Sequence, residues 1–155
     1  MLSYLSLFHY QRNQRMKVSK DCIDLVKHFE GFVAKAYKCP AGVWTIGYGH
    51  TLNVHPTDVI TEGQASVMLQ EELDEFAEKV SKLVKKATQS QFDAMVSFAY
   101  NVGVAALASS TLLKKHNAGD YAEAQKQFLR WDKAAGKTLA GLTKRRIHES
   151  ALYGK

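Results

Sequence analysis

Two cysteines, Cys22 and Cys39, are too few for the disulfide framework of a small secreted scaffold, and they stand at neither zinc-ligand nor CxxC spacing. Reduced thiols and a cytoplasmic origin are the expectation. The six histidines make no metal-binding pattern either, His50-x4-His55 included, so neither a metal nor a cofactor is expected. Long apolar runs are missing: the opening residues, 1 to 10, are too short to span a bilayer and lack the basic start of a signal peptide. Met16 opens the first well-patterned segment, and residues 1 to 15 read as an extension, a dispensable tail rather than a membrane anchor. There is no low-complexity tract and no internal repeat, which excludes disorder beyond the ends.

What remains is an ordinary globular composition, 46% hydrophobic and 23% charged over 155 residues. One domain of this size buries about two thirds of the surface its unfolded chain exposes and needs no staple. Basic residues outnumber acidic ones 21 to 15, a net charge of +6 that favours an anionic partner: nucleic acid, a membrane surface or a bacterial cell wall. Charge alone does not choose among them. The basic residues are scattered among acidic ones, with no basic face carrying aromatic or helix-turn-helix features, and this counts against nucleic acid.

Ser19 reads as the N-cap of a first helix with Ile23, Val26 and Phe29 on its apolar stripe and Gly31 as its stop. Glu30 then falls at the helix C-terminus. Residues 31 to 60 change character. A Pro40-Ala41-Gly42 turn precedes the β-favouring run Val43-Trp44-Thr45-Ile46, which reads as a small antiparallel hairpin or three-stranded sheet. From Thr61 on the pattern is helical. Thr61 with Gln64 and Thr88 with Gln91 form capping boxes, as do Asp120 and Glu123, and Ser110 caps a short helix. Leu69, Leu73, Phe76, Val80 and Leu83 give the helix from Glu62 to about Lys85 one buried face. Gly136 and Gly141 punctuate before Thr143 opens a last helix. The expected architecture is α+β and mostly helical. A small sheet is confined to an N-terminal lobe (16–60), a long helix connects (61–85), and a helical lobe follows (86–155), leaving a cleft between lobes.

Glu30 is flanked by Phe29 and Phe32, which are expected to desolvate its carboxyl toward the neutral form, as does a helix C-terminus. Taken locally, a solvated terminal glutamate is the commoner fate. The wider pattern reverses that weighing. Phe29-Glu30-Gly31-Phe32, Ala36-Tyr37 and Trp44-Thr45-Ile46-Gly47-Tyr48-Gly49-His50-Thr51 resemble the catalytic region of phage-type lysozymes, with Glu30, Cys39 and Thr45 at that family's E-x8-D/C-x5-T spacing. The similarity runs on through Gln91 to Ala99, Asn101-Val102-Gly103, Ser110 to Leu113, Phe128, Arg130-Trp131 and Gly141-Leu142, nearly the whole chain. Ordered motifs over this length are a strong signal.

The resemblance implies a lysozyme-like fold and an endolysin. Such an enzyme hydrolyses the β-1,4 bond between N-acetylmuramic acid and N-acetylglucosamine, with Glu30 as general acid, Cys39 in the second catalytic position and Thr45 orienting water. It also implies a monomer made in the host cytoplasm and acting on the periplasmic wall, with a pore-forming holin for access and no stable membrane insertion. At position 39 aspartate is the family's commoner residue, and no Asp or Glu occurs between Gly31 and Thr57 to replace it. The two-carboxylate scheme is therefore modified, a thiolate at Cys39 acting as nucleophile or as base for water. The alternative is a catalytically weakened peptidoglycan-binding protein of the same fold. His50 and Asn101 are candidate substrate-binding residues, though a structural hydrogen bond for His50 and a helix cap for Asn101 are open readings of each. Lys144-Arg145-Arg146 reads as a solvated helix face, or as wall contacts, or as the source of one arginine for Glu30. Trp44 and Trp131 read as core. A Cys22–Cys39 disulfide that blocks the site in an oxidising compartment is a further hypothesis.

Overall fold

A computed structural model describes residues 15–155. The extension expected over residues 1 to 15 lies outside the described residues apart from Arg15, which donates to Glu78 at 2.6 Å.

Helix α1 spans Lys20–Glu30. The Ser19 side chain accepts from Asp21 N, and Asp93 in turn accepts from the Ser19 backbone N–H at 2.9 Å, tying the helix start to the helical lobe. Cys22 and Val26 face the core. The helix stops at Gly31, whose φ of 70° with extended ψ is a conformation open to glycine and costly for other residues. Strand β1 (Val33–Lys38) pairs antiparallel with β2 (Trp44–Gly47), Tyr37 opposite Thr45 and Lys38 opposite Trp44. The connecting turn closes through Gly42 N to Cys39 O at 2.8 Å and Cys39 N to Val43 O at 3.0 Å. The third strand reduces to a single bridge, Lys35 with Val59.

Helix α2 (Glu62–Leu83) has its full capping box and ends two residues short of Lys85. Its 22 residues reach about 33 Å, and Ala65, Leu69, Leu73, Ala77 and Val80 lie buried along one stripe. Helix α3 (Gln89–Val102) is the centre of the molecule: every residue from Gln91 to Ala99 is buried. The remaining helices pack around it: α4 (Val104–Ser109), α5 (Thr111–Asn117), α6 (Tyr121–Gln127) and α7 (Ala140–Tyr153), with a 3-10 turn at Phe128–Arg130. Phe98 on α3 meets Phe128 and Trp131 edge to face at 5.6 and 5.2 Å, which makes Trp131 part of the core.

Four expectations are corrected. Sheet is not confined to the N-terminal third: β3 (Lys133–Ala134) and β4 (Lys137–Thr138) form a second hairpin, because Ala135 and Gly136 both take positive φ and close a two-residue turn. Asp120 caps α6, but the box with Glu123 is half formed. The Asp120 N–H already donates to Lys115 O, and the Glu123 carboxylate accepts from Gln127 instead. The last helix begins at Ala140, three residues before Thr143. Finally, Arg145 and Arg146 are buried, 3% and 0% exposed, so of the readings of the basic run the solvated face gives way to the arginine that pairs with Glu30.

Candidate functional site

The first helix and the end of the hairpin bring Glu30 to a recess between the lobes. A cavity of about 380 Å³ is lined by Glu30, Gly49, Thr51, Glu72, Phe76, Tyr100 and Asn101, drawing on α1, the loop after β2, α2 and α3. A second recess of about 280 Å³ shares its Thr51, Glu72 and Phe76 walls and extends it along α2. A larger groove between α1 and α7 contains none of the candidate groups.

Glu30 Oε1 accepts from Arg145 Nη1 at 2.8 Å; the arginine side chain is 4% exposed and the glutamate side chain 24%. The other carboxyl oxygen lies against Gly49, where a Cβ would come within 3.2 Å of Oε2 and the backbone φ is +87°. Glycine is thus required twice over at this point, for its conformation and for the space the acid occupies. Neither Phe29 nor Phe32 lines the acid's cavity, although Phe29 stands against the guanidinium that holds the acid, with Arg145 Cζ 5.8 Å from its ring centre. Phe29 turns to His28 and His148, and Phe32 packs on Tyr48.

Asn101 does line the cavity, and it is not the helix cap, which is Gly103 through its N–H to Ala99 O. Its Oδ1 accepts from Arg146 Nη2, which leaves the amide NH2 as the end free to donate to a ligand oxygen. His50 has a structural hydrogen-bonding role: Nδ1 meets Glu72 and Nε2 lies 2.8 Å from Leu52 O. Tyr100 hydroxyl lies 3.2 Å from both Tyr48 O and Glu72 Oε2, completing a chain from the hairpin loop to α2 and α3. Burial, with Glu72 and Glu30 beside it, pushes the Tyr100 phenol up, so it remains a donor.

Cys39 and Thr45 come together at the far end of the hairpin, not on the walls of the Glu30 cavity. Cys39 is free and half-buried. The backbone N–H groups of Val43 and Ala41 hold its thiol below the usual range, favouring the thiolate. Thr45 is buried, and its hydroxyl donates to Val43 O at 2.9 Å. Cys22 is the opposite case, a free thiol 0% exposed in the helical core and pushed up by burial. Among the described residues no cluster of His, Cys, Asp and Glu stands at metal-binding geometry.

Sequence reasoning missed Glu72 and Tyr100, and gave Gly49 and Thr51, which lie inside the matched segment, no role of their own. Glu72 stands three residues after Leu69 and one before Leu73, at the edge of the buried stripe, where a carboxylate needs a partner. That was the signal available.

A family model for phage lysozyme matches residues 27–149. The chain is 50% identical over 142 residues to an endolysin of Bacillus phage B103, across 89% of this chain and 54% of that protein. It is 45% identical over 143 residues to an endolysin of Acyrthosiphon pisum secondary endosymbiont phage 1, across 89% of this chain and 98% of that one. It therefore spans about half the length of the first relative and nearly all of the second. Among solved structures, the muramidase domain of SpmX from Asticaccaulis excentricus superposes with a TM-score of 0.86 at 36% identity, covering 91% of this chain and 99% of that one.

Proposed function

Because the chain belongs to the phage lysozyme family, a family of glycoside hydrolases, we propose that it is an endolysin that cuts peptidoglycan between N-acetylmuramic acid and N-acetylglucosamine. The observation that carries the reading is Glu30, a partly buried carboxyl held at a fixed place between Arg145 and Gly49 in a recess between two lobes. Glycoside hydrolysis needs a proton on the leaving oxygen, and Glu30 supplies it. Cys39 takes the second position as a thiolate, attacking the anomeric carbon or taking a proton from water, with the Thr45 hydroxyl beside it to orient that water. The anomeric configuration of the freshly released end distinguishes the two roles, retention for attack and inversion for base catalysis. The Asn101 amide is placed to donate to an N-acetyl or hydroxyl oxygen. His50 lines the second recess while Glu72 holds its ring, which places it to contact substrate there.

Residues 16–155 form the catalytic domain in this reading, and the acting form is a monomer. Among the described residues no helix is long and apolar enough to cross a membrane. Synthesis in the host cytoplasm with passage to the wall through a holin pore fits that and the family. A second reading, a peptidoglycan-binding protein with weakened catalysis, draws on Cys39 and Thr45 lying outside the Glu30 cavity.

The test compares lysis of outer-membrane-stripped cells by wild type, Glu30→Gln, Cys39→Ser and Cys39→Asp. Near-total loss is expected for the first variant, severe loss for the second and substantial retention for the third. Wall binding by wild type without release of reducing ends decides for the second reading.

A further inference from the structure

Behind Glu30 the helical lobe holds another carboxylate, one that no ligand reaches. Glu149 on α7 is 0% exposed. Its Oε1 pairs with Arg146 Nη1 and lies 3.5 Å from Arg145 Nε. The same guanidiniums reach forward to the recess, Arg145 to Glu30 at 2.8 Å and Arg146 to Asn101. Each is also pinned from the side, Arg145 to Ser97 O at 3.1 Å and Arg146 to Trp131 O at 2.9 Å, with Arg146 over the Phe98 ring.

Stability alone gives little reason for this arrangement. Burying charge costs more than an apolar replacement of equal shape, and here Glu149 Oε2, Arg145 Nε and Ser97 Oγ are left without hydrogen-bond partners. The cluster makes sense as electrostatics directed at the recess. With both carboxylates ionised, the two guanidiniums are matched. When Glu30 carries the proton it must donate, the cluster is one positive charge in excess, and without Glu149 the excess would be two.

We propose that Glu149 is a positioning residue for the reaction: as the shared counter-charge of Arg145 and Arg146 it limits Arg145's hold on the Glu30 carboxyl and so sets where activity falls off with rising pH. This rests on the reading of Glu30 as the acid. The groups facing Glu149 are Arg145 and Arg146 on its own helix, Ser97 on α3 and Cys22 on α1, whose thiol both Asp93 and Glu149 push up. Burial raises the Glu149 carboxyl to about 7 against the downward pull of both arginines, so its negative charge grows as pH rises through neutrality, where the acid most needs it.

Glu149→Gln keeps the shape and an acceptor for Arg146 while removing the charge. Initial rates of reducing-end release from purified peptidoglycan, normalised to folded protein by circular dichroism, are measured against pH. The alkaline limb is expected to move down by about one pH unit, as for a unit charge on the far side of a guanidinium, with KM within about twofold of wild type. A profile per folded molecule that superimposes on wild type, or a limb that moves up, overturns the proposal. Should the variant not fold, carbon-13 carboxyl spectra of wild type, assigned with Glu30→Gln, give the answer. The Glu30 resonance responds as Glu149 titrates, and one that ignores Glu149 overturns it. Activity persisting in Glu30→Gln would instead strike the acid assignment, and the spectra would still read the coupling.

Discussion

Replacing Gly49 by alanine perturbs the acid without touching its chemistry. The backbone there has φ +87°, and an L residue held in such a conformation costs about 1–2 kcal/mol. The new methyl would also stand 3.2 Å from Glu30 Oε2, tighter than ordinary contact, so the carboxyl must shift by a few tenths of an ångström or more along its bond to Arg145. Conformation alone predicts a melting temperature lower by about 2–8 °C for a chain of this length. Displacement of a catalytic group on this scale predicts a further loss of activity of about 10- to 100-fold per folded molecule. Gly119→Ala supplies the control, since Gly119 has φ +81° and nothing within 4 Å of the added carbon. It should lower the melting temperature comparably and leave activity per folded molecule unchanged. Thermal melts by circular dichroism and reducing-end release below both transitions give the two readouts. If Gly49→Ala keeps wild-type turnover, or Gly119→Ala loses as much as Gly49→Ala, the close approach of loop and acid has no catalytic meaning.

Arg145→Gln leaves Glu30 without its ion pair and is expected to cut turnover by at least tenfold while lowering stability by about 3–5 kcal/mol, the cost of breaking a buried pair, read by denaturant unfolding. Asn101→Ala should raise KM for peptidoglycan with a smaller effect on kcat, as expected for an amide that binds substrate. His116 is buried, its Nε2 donating to Lys86 O at 2.7 Å and its Nδ1 accepting from Tyr153 hydroxyl at 2.5 Å. Burial lowers its proton affinity, so the folded state resists protonation that the unfolded chain accepts: its contribution is intact above about pH 6.5 and is lost as pH falls through the lower, folded value. His116→Gln should flatten the decline in melting temperature between pH 7 and 5, and an unchanged slope would assign that decline to other groups. Thr88→Ala removes half of a capping box on the central helix and should cost about 0.5–2 kcal/mol in chemical denaturation, with activity per folded molecule intact.

The parts of this fold written in local chemistry were legible. Capping residues Ser19, Thr61, Thr88 and Ser110 each start the helix they announce, because a side-chain acceptor for an orphan N–H acts within three residues. The second hairpin was not legible, since two residues per strand carry no period and Ala135 in a positive-φ position gives no turn signal. Nor was the burial of Arg145 and Arg146. A basic run looks solvated until Glu30, Ser97, Asn101 and Trp131, drawn from three other segments, supply its acceptors. The environment of Glu30 shows the same division. Its place at a helix end was readable, but the neighbours that govern it, Arg145 and Gly49, are distant in sequence, while of the adjacent aromatics Phe32 packs on Tyr48 and Phe29 packs against Arg145.

The central claim is that the Glu30 carboxyl protonates the glycosidic oxygen at the muramic acid linkage. Purified peptidoglycan sampled at early times of digestion and then reduced with borohydride reports it most directly. Wild type should yield muramitol at the new ends, and Glu30→Gln at equal folded concentration should yield less than about one per cent of that rate. New ends carrying reduced glucosamine, or muramitol released by Glu30→Gln at a rate near wild type, would contradict the account.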